Sequence, residues 1–329
     1  MASGQVLTQR QSGQVSTLIE AIWTASALAA ALGEPSGPID EAAGAVLGSA
    51  GLAERGPAGW ALTPGIAAEL GEQPTSVGAA LTSTLGQAAA IAAATLAPAA
   101  REAGDAGGTR GAGAAQAAHP AGTRRADWTR YDEAVLLAQG QMSAPGGASM
   151  ARLIRADPEL SAVFADDGTF IDVGVGVAAL ACSFAEAMPA ARVIGLDVHA
   201  PALALARQAV EAKGLAARVQ LRLQAVQDLR DEGIAGAAHV SPPFIDQSVL
   251  AEGLARLHAA LKPGGRLMLS GLTTDGPDGA IGRWQAANAG GSGITERQCA
   301  DLLVASRFEP PARLPLPPGA PVVLTCRRP

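Results

Sequence analysis

The chain has 329 residues, is rich in Ala and Gly, and carries a formal net charge of −6 with Lys213 and Lys262 as its only lysines. The length allows two domains, and the acidic balance argues against a protein whose main task is to grip a phosphate backbone, because that needs a basic face. Cys182, Cys299 and Cys326 are odd in number and widely spaced, so neither a disulfide framework nor a metal site is expected, and a reducing cytoplasm fits.

At the N-terminus there is no basic start, and Glu20 interrupts the first apolar stretch, so no secretory signal is expected. Val15–Leu32 has helical periodicity, with Leu18, Ile22, Ala25, Leu28 and Ala29 on one stripe. Gly33-Glu-Pro-Ser-Gly-Pro stops it. Asp40–Leu52 predicts a second helix, with Ile39, Ala43, Val46 and Leu47 inward. A hairpin follows around Gly56-Pro-Ala-Gly, and Thr63-Pro64 opens another helix. Helix, helix, hairpin is a winged-helix arrangement, assigned to residues 1–100. The helix that would read DNA carries Asp40 and Glu41 and no Lys or Arg, so the donors for bases and phosphates are missing. The Ala-rich run 88–100 contains Pro98 and predicts a buried helix and no membrane span.

Residues 101–126 are Gly/Ala/Arg-rich and predict a flexible linker, in which His119 is solvated. Residues 127–168 form connecting helices. Trp128, Tyr131 and Met142 cluster there although aromatics are scarce elsewhere, which suits either interdomain packing or a lid that walls an apolar acceptor pocket.

From residue 169 onward strands and helices alternate. Thr169–Leu180 reads strand, acid, glycine turn, helix, with Asp172, Gly174 and Gly176 in sequence. The glycines allow a sharp turn and close approach to a ligand, and the helix start offers free N–H donors. With Ala179 the stretch also fits the dinucleotide pattern Gly-x-Gly-x-x-Ala. The carboxylate of Asp172 would repel a pyrophosphate and suits a ligand bearing an amino group. This stretch resembles the first motif of class I S-adenosylmethionine (SAM)-dependent methyltransferases, with Ala178 in place of the third glycine. The helical and hairpin unit at the N-terminus similarly resembles the dimerisation domain of small-molecule O-methyltransferases. A homodimer through that unit is what the resemblance implies.

Arg192–Asp197 is the second strand and ends in an acid placed to accept from ribose hydroxyls. Val198 and His199 then border the adenine. After the third strand, Arg218–Leu223, the family carries an acid for the adenine amino group. Ala225 stands there, with Gln224 or the backbone around Val226 as substitutes. The fourth strand, Ala237–Ser241, runs into Pro242-Pro243-Phe244. This resembles the Asn-Pro-Pro-Tyr motif of amino-group methyltransferases, but Ser241 is a poorer amide mimic and the chain is acidic, so a small-molecule acceptor is preferred over a nucleic-acid base. Lys262-Pro-Gly-Gly265 and the strand to Ser270 resemble a junction characteristic of the same class. Residues 272–293 predict a Gly-rich cover that includes Trp284. Thr295–Ser306 predicts a helix, Phe308–Pro311 begins a strand, and Val322–Arg327 is a last strand inserted antiparallel.

The fold expected is therefore α/β: a Rossmann-like seven-stranded methyltransferase sheet over 169–329, behind a mainly helical, winged-helix-like domain. The cofactor implied is SAM, held by Asp172, Gly174, Gly176, Ala178, Asp197, Val198, Gln224, Ala225, Val226 and Ser241. Trp128, Tyr131, Met142 and Phe244 would meet the acceptor, a small aromatic natural product methylated on oxygen or nitrogen. His239, inside the fourth strand, is the candidate base. Alternatives at this stage are a SAM-binding scaffold without transfer, a cyclase or isomerase that uses SAM as a fixed cation, and a nicotinamide oxidoreductase.

Overall fold

The computed structural model describes residues 9–33, 39–70, 77–91, 128, 131–165, 168–272, 293–314 and 322–329, with a few single positions between 282 and 291. The linker with His119, the end of the Ala-rich run and Trp284 lie outside the described residues. By internal contacts the chain forms two units: residues 1–96 with 137–142, and residues 97–136 with 143–329.

In the first unit, helix α1 (Gln9–Gly33) is followed by α2 (Glu41–Ser49), an antiparallel hairpin of β1 (Ala53–Gly56) and β2 (Gly59–Leu62), and α3 (Pro64–Leu70). Helix α4 spans 77–91. Asp40 starts α2 by accepting from the N–H groups of Ala42 and Ala43. The helix stops at Ser49, short of the predicted Leu52. Gly51 takes a left-handed φ of 72°, and the Leu52 N–H turns back to the Leu47 carbonyl. Gly44 and Gly48, one turn apart, leave a groove in which the Trp60 indole lies; a Cβ at Gly44 would stand 2.1 Å from the ring. Leu47, fully buried, centres this small core with Ala27 and Ala53.

In the second unit, α5 (Glu133–Ala156, its residues 137–142 belonging to the first unit) and α6 (Pro158–Phe164) lead into a seven-stranded sheet. Its elements are β3 (Thr169–Val173), α7 (Ala179–Ala187), β4 (Arg192–Asp197), α8 (Ala200–Ala212), β5 (Val219–Leu223), β6 (Ala235–Val240), α9 (Gln247–Ala260), β7 (Leu261–Leu269), α10 (Glu296–Ala305), β8 (Ala312–Arg313) and β9 (Leu324–Arg327). The strand order is β5-β4-β3-β6-β7-β9-β8; the first five are parallel and β9 runs antiparallel to both neighbours. The expected strand from Phe308 pairs only at Ala312–Arg313, and Lys262-Pro-Gly-Gly265 falls inside β7, not before it. Among the described residues no helix is long and apolar enough to cross a membrane.

Alternation along the strands divides the core in two. Ile171, Val173, Ala238, Val240, Leu267 and Leu269 pack on the face covered by α9 and α10. Phe170, Ala237 and Met268 pack on the face covered by α5 to α8. By the same parity Asp172, His239 and Ser270 fall on that second face, at the carboxyl ends of β3, β6 and β7. Strand order reverses between β3 and β6, and open α/β sheets bind ligands in the crevice outside such a point.

Candidate cofactor and acceptor site

The turn after β3 is built by left-handed backbone: φ is 73° at Gly174, 55° at Gly176 and 61° at Ala178. A Cβ at Gly174 would have nothing within 4 Å, so the turn presents open backbone there. The N–H groups of Gly174 and Val175 donate to the Leu196 carbonyl at 2.8 and 3.0 Å, which fastens the turn to β4. Gly195 makes room for this: a Cβ there would strike the Val175 side chain at 2.7 Å. The Ala178 methyl, where the resembled motif has glycine, is fully buried in the core behind the turn and takes no space in front of it.

Asp197 ends β4. One carboxylate oxygen accepts from the Gly176 N–H at 2.8 Å, the other from the His199 N–H at 2.8 Å. Burial raises its pKa above the ordinary aspartate value of 3.8, against the lowering effect of those N–H donors. Each oxygen keeps a lone pair for another donor. Beside it Val198 is 72% exposed, and Leu223, its neighbour at the end of β5, is 61% exposed. Asp197 and Leu223 are register partners, so two bare apolar side chains stand next to the acid and suit the faces of a flat base. Leu223 was not legible as a site residue, because its register with Asp197 is set by the sheet.

The residues after β5 are placed differently from one another. Gln224 bonds through its amide to the Asp228 carbonyl at 2.9 Å, and its N–H to the Asp197 carbonyl. Ala225 caps a single 3-10 turn, Val226–Asp228. The Val226 side chain is buried against Gly253 of α9, which leaves backbone, not that side chain, to face outward.

Asp172 is 2% exposed and turned sideways along the sheet: its Oδ1 lies 2.9 Å from His239 Nδ1. The two are register partners on β3 and β6. His239 Nε2 lies 2.8 Å from Ser270 Oγ, which lies 3.0 Å from Ser241 Oγ. His199, the other histidine named for this end of the sheet, has its Nδ1 buried without a partner. Ser270 escaped the sequence reading because a serine at a strand end carries no motif. Asp172 and His239 were each singled out, but 67 residues separate them and only the register joins them.

Ser241 leads into a 3-10 turn, Pro242–Phe244. Gly291 lies so close that a Cβ would come within 1.9 Å of the Pro243 carbonyl, and the Gly293 N–H donates to that carbonyl at 3.2 Å. The Pro242 carbonyl accepts from Ile245. Both proline carbonyls thus already hold main-chain donors. Phe244 faces Trp128 with ring centroids 6.1 Å apart, and Trp128 meets Tyr131 edge-on at 5.2 Å. Tyr131 is buried and backs Trp128. A Cβ at Gly271 would touch Phe244 at 3.5 Å and Ser241 Oγ at 3.8 Å, so the hydroxyl and the aromatic wall border one space. Met142, 39% exposed, falls in the first unit. Among the described residues no group of side chains could hold a metal ion.

The profile of the methyltransferase domain family matches residues 170–265, which span β3 to the start of β7. Over that stretch the chain matches a methyltransferase domain. Over 112 residues it is 33% identical to a demethylmenaquinone methyltransferase of Thermus thermophilus, covering 34% of this chain and about half the length of that relative. Solved methyltransferases share the fold over nearly the whole length. An O-methyltransferase family protein from Burkholderia thailandensis has a TM-score of 0.63 at 14% identity, with 98% of this chain and 99% of that one covered. Mitomycin 7-O-methyltransferase has 0.62 at 20%, with 96% and 97% covered. Human N-acetylserotonin methyltransferase, solved with SAM, has 0.58 at 15%, with 100% and 99% covered. The antiparallel β9 is part of that shared architecture.

Proposed function

We propose that the protein transfers a methyl group from SAM to an oxygen or nitrogen of a small aromatic molecule. The observation that carries the reading is the Gly174–Gly176 turn, open in front and tied by the Gly176 N–H to Asp197, next to the exposed Val198 and Leu223. SAM supplies an activated methyl on a sulfonium, so transfer is a single displacement. In this reading Asp197 accepts from the ribose hydroxyls, and Val198 and Leu223 lie against the adenine. The backbone of Gln224, Ala225 and Val226 meets the adenine edge, and the open turn at Gly174, Gly176 and Ala178 lets the ligand approach. Asp172, buried and committed to His239, contributes negative potential at this end of β3. The rest of the task is alignment and exclusion of water. Trp128 and Phe244, with Tyr131 behind, form the wall for a flat acceptor.

The test is calorimetric titration of the purified protein with SAM, followed by incubation with phenols and anilines and product mass analysis. Binding with a gain of one CH2 in a product supports the reading. Binding without any gain in mass would assign a scaffold or a cyclase instead.

A pH dependence follows from Asp197. Its raised pKa means the carboxylate protonates, and stops accepting fully, at a pH above 3.8. Affinity for SAM should therefore fall as pH is lowered through a midpoint above 3.8. In the ligand-free protein the sign is opposite: this group's contribution to stability shrinks as pH rises through the same window, because the folded state disfavours the charge. A SAM affinity flat down to pH 3.8 would contradict the assignment.

We assign a homodimer to the first unit, where α1 exposes Leu18, Ile22 and Trp23 at 64%, 56% and 66%. Leu18 and Ile22, one turn apart, with Trp23 beside Ile22 make an exposed apolar strip that favours a partner helix. Ile22→Glu with Trp23→Glu should give a monomer in light-scattering chromatography; an unchanged mass removes α1 from the interface. A cytoplasmic setting suits the three free, buried thiols.

A further inference from the structure

At the carboxyl end of the sheet's second face, four polar side chains form one line. Asp172 Oδ1 is 2.9 Å from His239 Nδ1, His239 Nε2 is 2.8 Å from Ser270 Oγ, and Ser270 Oγ is 3.0 Å from Ser241 Oγ. The line begins at two buried groups, Asp172 and His239, and ends at two half-buried hydroxyls. Its last member borders the space walled by Phe244.

Donor chemistry gives the line a direction. A carboxylate only accepts, so His239 Nδ1 carries the hydrogen toward Asp172. The neutral ring then has its lone pair at Nε2 and accepts from Ser270. Ser270 in turn accepts from Ser241, whose oxygen keeps a lone pair for an incoming donor. Both hydroxyl hydrogens point from the open end toward the histidine. Resting on the methyl-transfer reading above, we propose that this line is a proton relay, that His239 receives the proton of an acceptor hydroxyl through Ser241 and Ser270, and that the methylated atom is oxygen.

The step balances. The O–C bond forms as the S–C bond breaks, and that electron pair stays on sulfur. The acceptor proton moves to Ser241 Oγ, the Ser241 hydrogen to Ser270 Oγ, and the Ser270 hydrogen to His239 Nε2. The positive charge lost at sulfur reappears as imidazolium, held by Asp172. A weakly acidic hydroxyl needs this path, because without it the product is a protonated ether. An amine does not: it attacks with a free lone pair and sheds its proton to water afterwards. Asp172 is a positioning residue here, since it fixes the tautomer and orientation of a ring that meets the acceptor only through two hydroxyls.

The experiment compares wild type, Ser270→Ala and Ser270→Thr on phenols of graded acidity, from an alkylphenol to a nitrophenol, with matched anilines, and measures SAM binding alongside. Ser270→Ala should lose about 100-fold or more in kcat on the alkylphenol, with acceptor KM and SAM affinity unchanged. The loss should shrink toward the nitrophenol, whose proton leaves unaided, and Ser270→Thr should recover most of the rate. Independently of turnover, imidazole nitrogen NMR should show His239 protonated at Nδ1, with an Nε2 resonance that shifts in Ser270→Ala. Equal kcat for a folded, SAM-binding Ser270→Ala and wild type overturns the relay alone, as does a His239 ring protonated at Nε2 and bare at Nδ1. Wild type that binds SAM yet methylates only anilines overturns the relay and keeps methyl transfer. Wild type that methylates nothing overturns both.

Discussion

Asp197→Ala is expected to weaken SAM binding by about 1.5–3 kcal/mol, roughly 10- to 150-fold, the range for losing hydrogen bonds to a charged group. Two effects add. The ribose hydroxyls lose their acceptor, and the Gly176 N–H loses the partner that holds it at 2.8 Å, so the left-handed turn loses one of its ties to the end of β4. The fold should survive, because Asp197 closes a strand and does not fill the core; burial already raises its pKa, so its charge is held at some cost to the ligand-free protein. Calorimetric titration of wild type and variant under one buffer checks this. Unchanged affinity in a folded variant would remove Asp197 from the site.

Gly147→Val is expected to have the largest effect on stability. Gly147 lies in α5 where the helix crosses α7, and a Cβ there would stand 2.2 Å from the Leu180 carbonyl oxygen and 2.6 Å from the Phe184 nitrogen. Both are main-chain atoms of a helix, so neither can swing aside. Overpacking of this kind costs about 1–3 kcal/mol, and more where backbone must move. Each kcal/mol lowers Tm by about 2–4 °C in a chain of this size class. Phe184 stacks on Phe170 with centroids 4.1 Å apart, so a displaced α7 would also shift the start of β3 and the glycine turn beyond it. Thermal unfolding followed by circular dichroism is the check. A melting temperature equal to wild type would mean that α5 and α7 do not approach as described.

Gly147 also shows where the sequence is silent. Pro145-Gly146-Gly147 carries poor helix propensity, yet α5 runs through it, because two glycines let helix backbones meet more closely than side chains allow. The alternation of the second unit is readable because β3, β4 and β6 are short apolar runs that end at or near a Gly, an acid or a Pro: β3 before Gly174, β4 ending in Asp197, β6 one residue short of Pro242. The seven-stranded sheet with its antiparallel β9 follows that reading. The glycine turn and Asp197 could be located because they lie within one β-α-β unit, at fixed distances along the chain. Pairings across the sheet could not. The sequence points Asp172 toward a ligand bearing an amino group; its pairing in register with His239, to which it bonds, is set by the sheet. Ser270 and Leu223 acquire their places only when β7 lies beside β6 and β5 beside β4. At Val226 the sequence points to the backbone, and the side chain is consumed by packing on Gly253.

The open glycine turn and Asp197 fit the carboxyl edge of this sheet to an adenosyl sulfonium and not to a dinucleotide. Competitive calorimetry with SAM, S-adenosylhomocysteine and NAD tests it most directly. The two adenosyl ligands should bind one per chain and exclude each other, and both should weaken in Asp197→Ala, while NAD gives no heat. Tight binding of NAD with none of either adenosyl ligand would contradict the account.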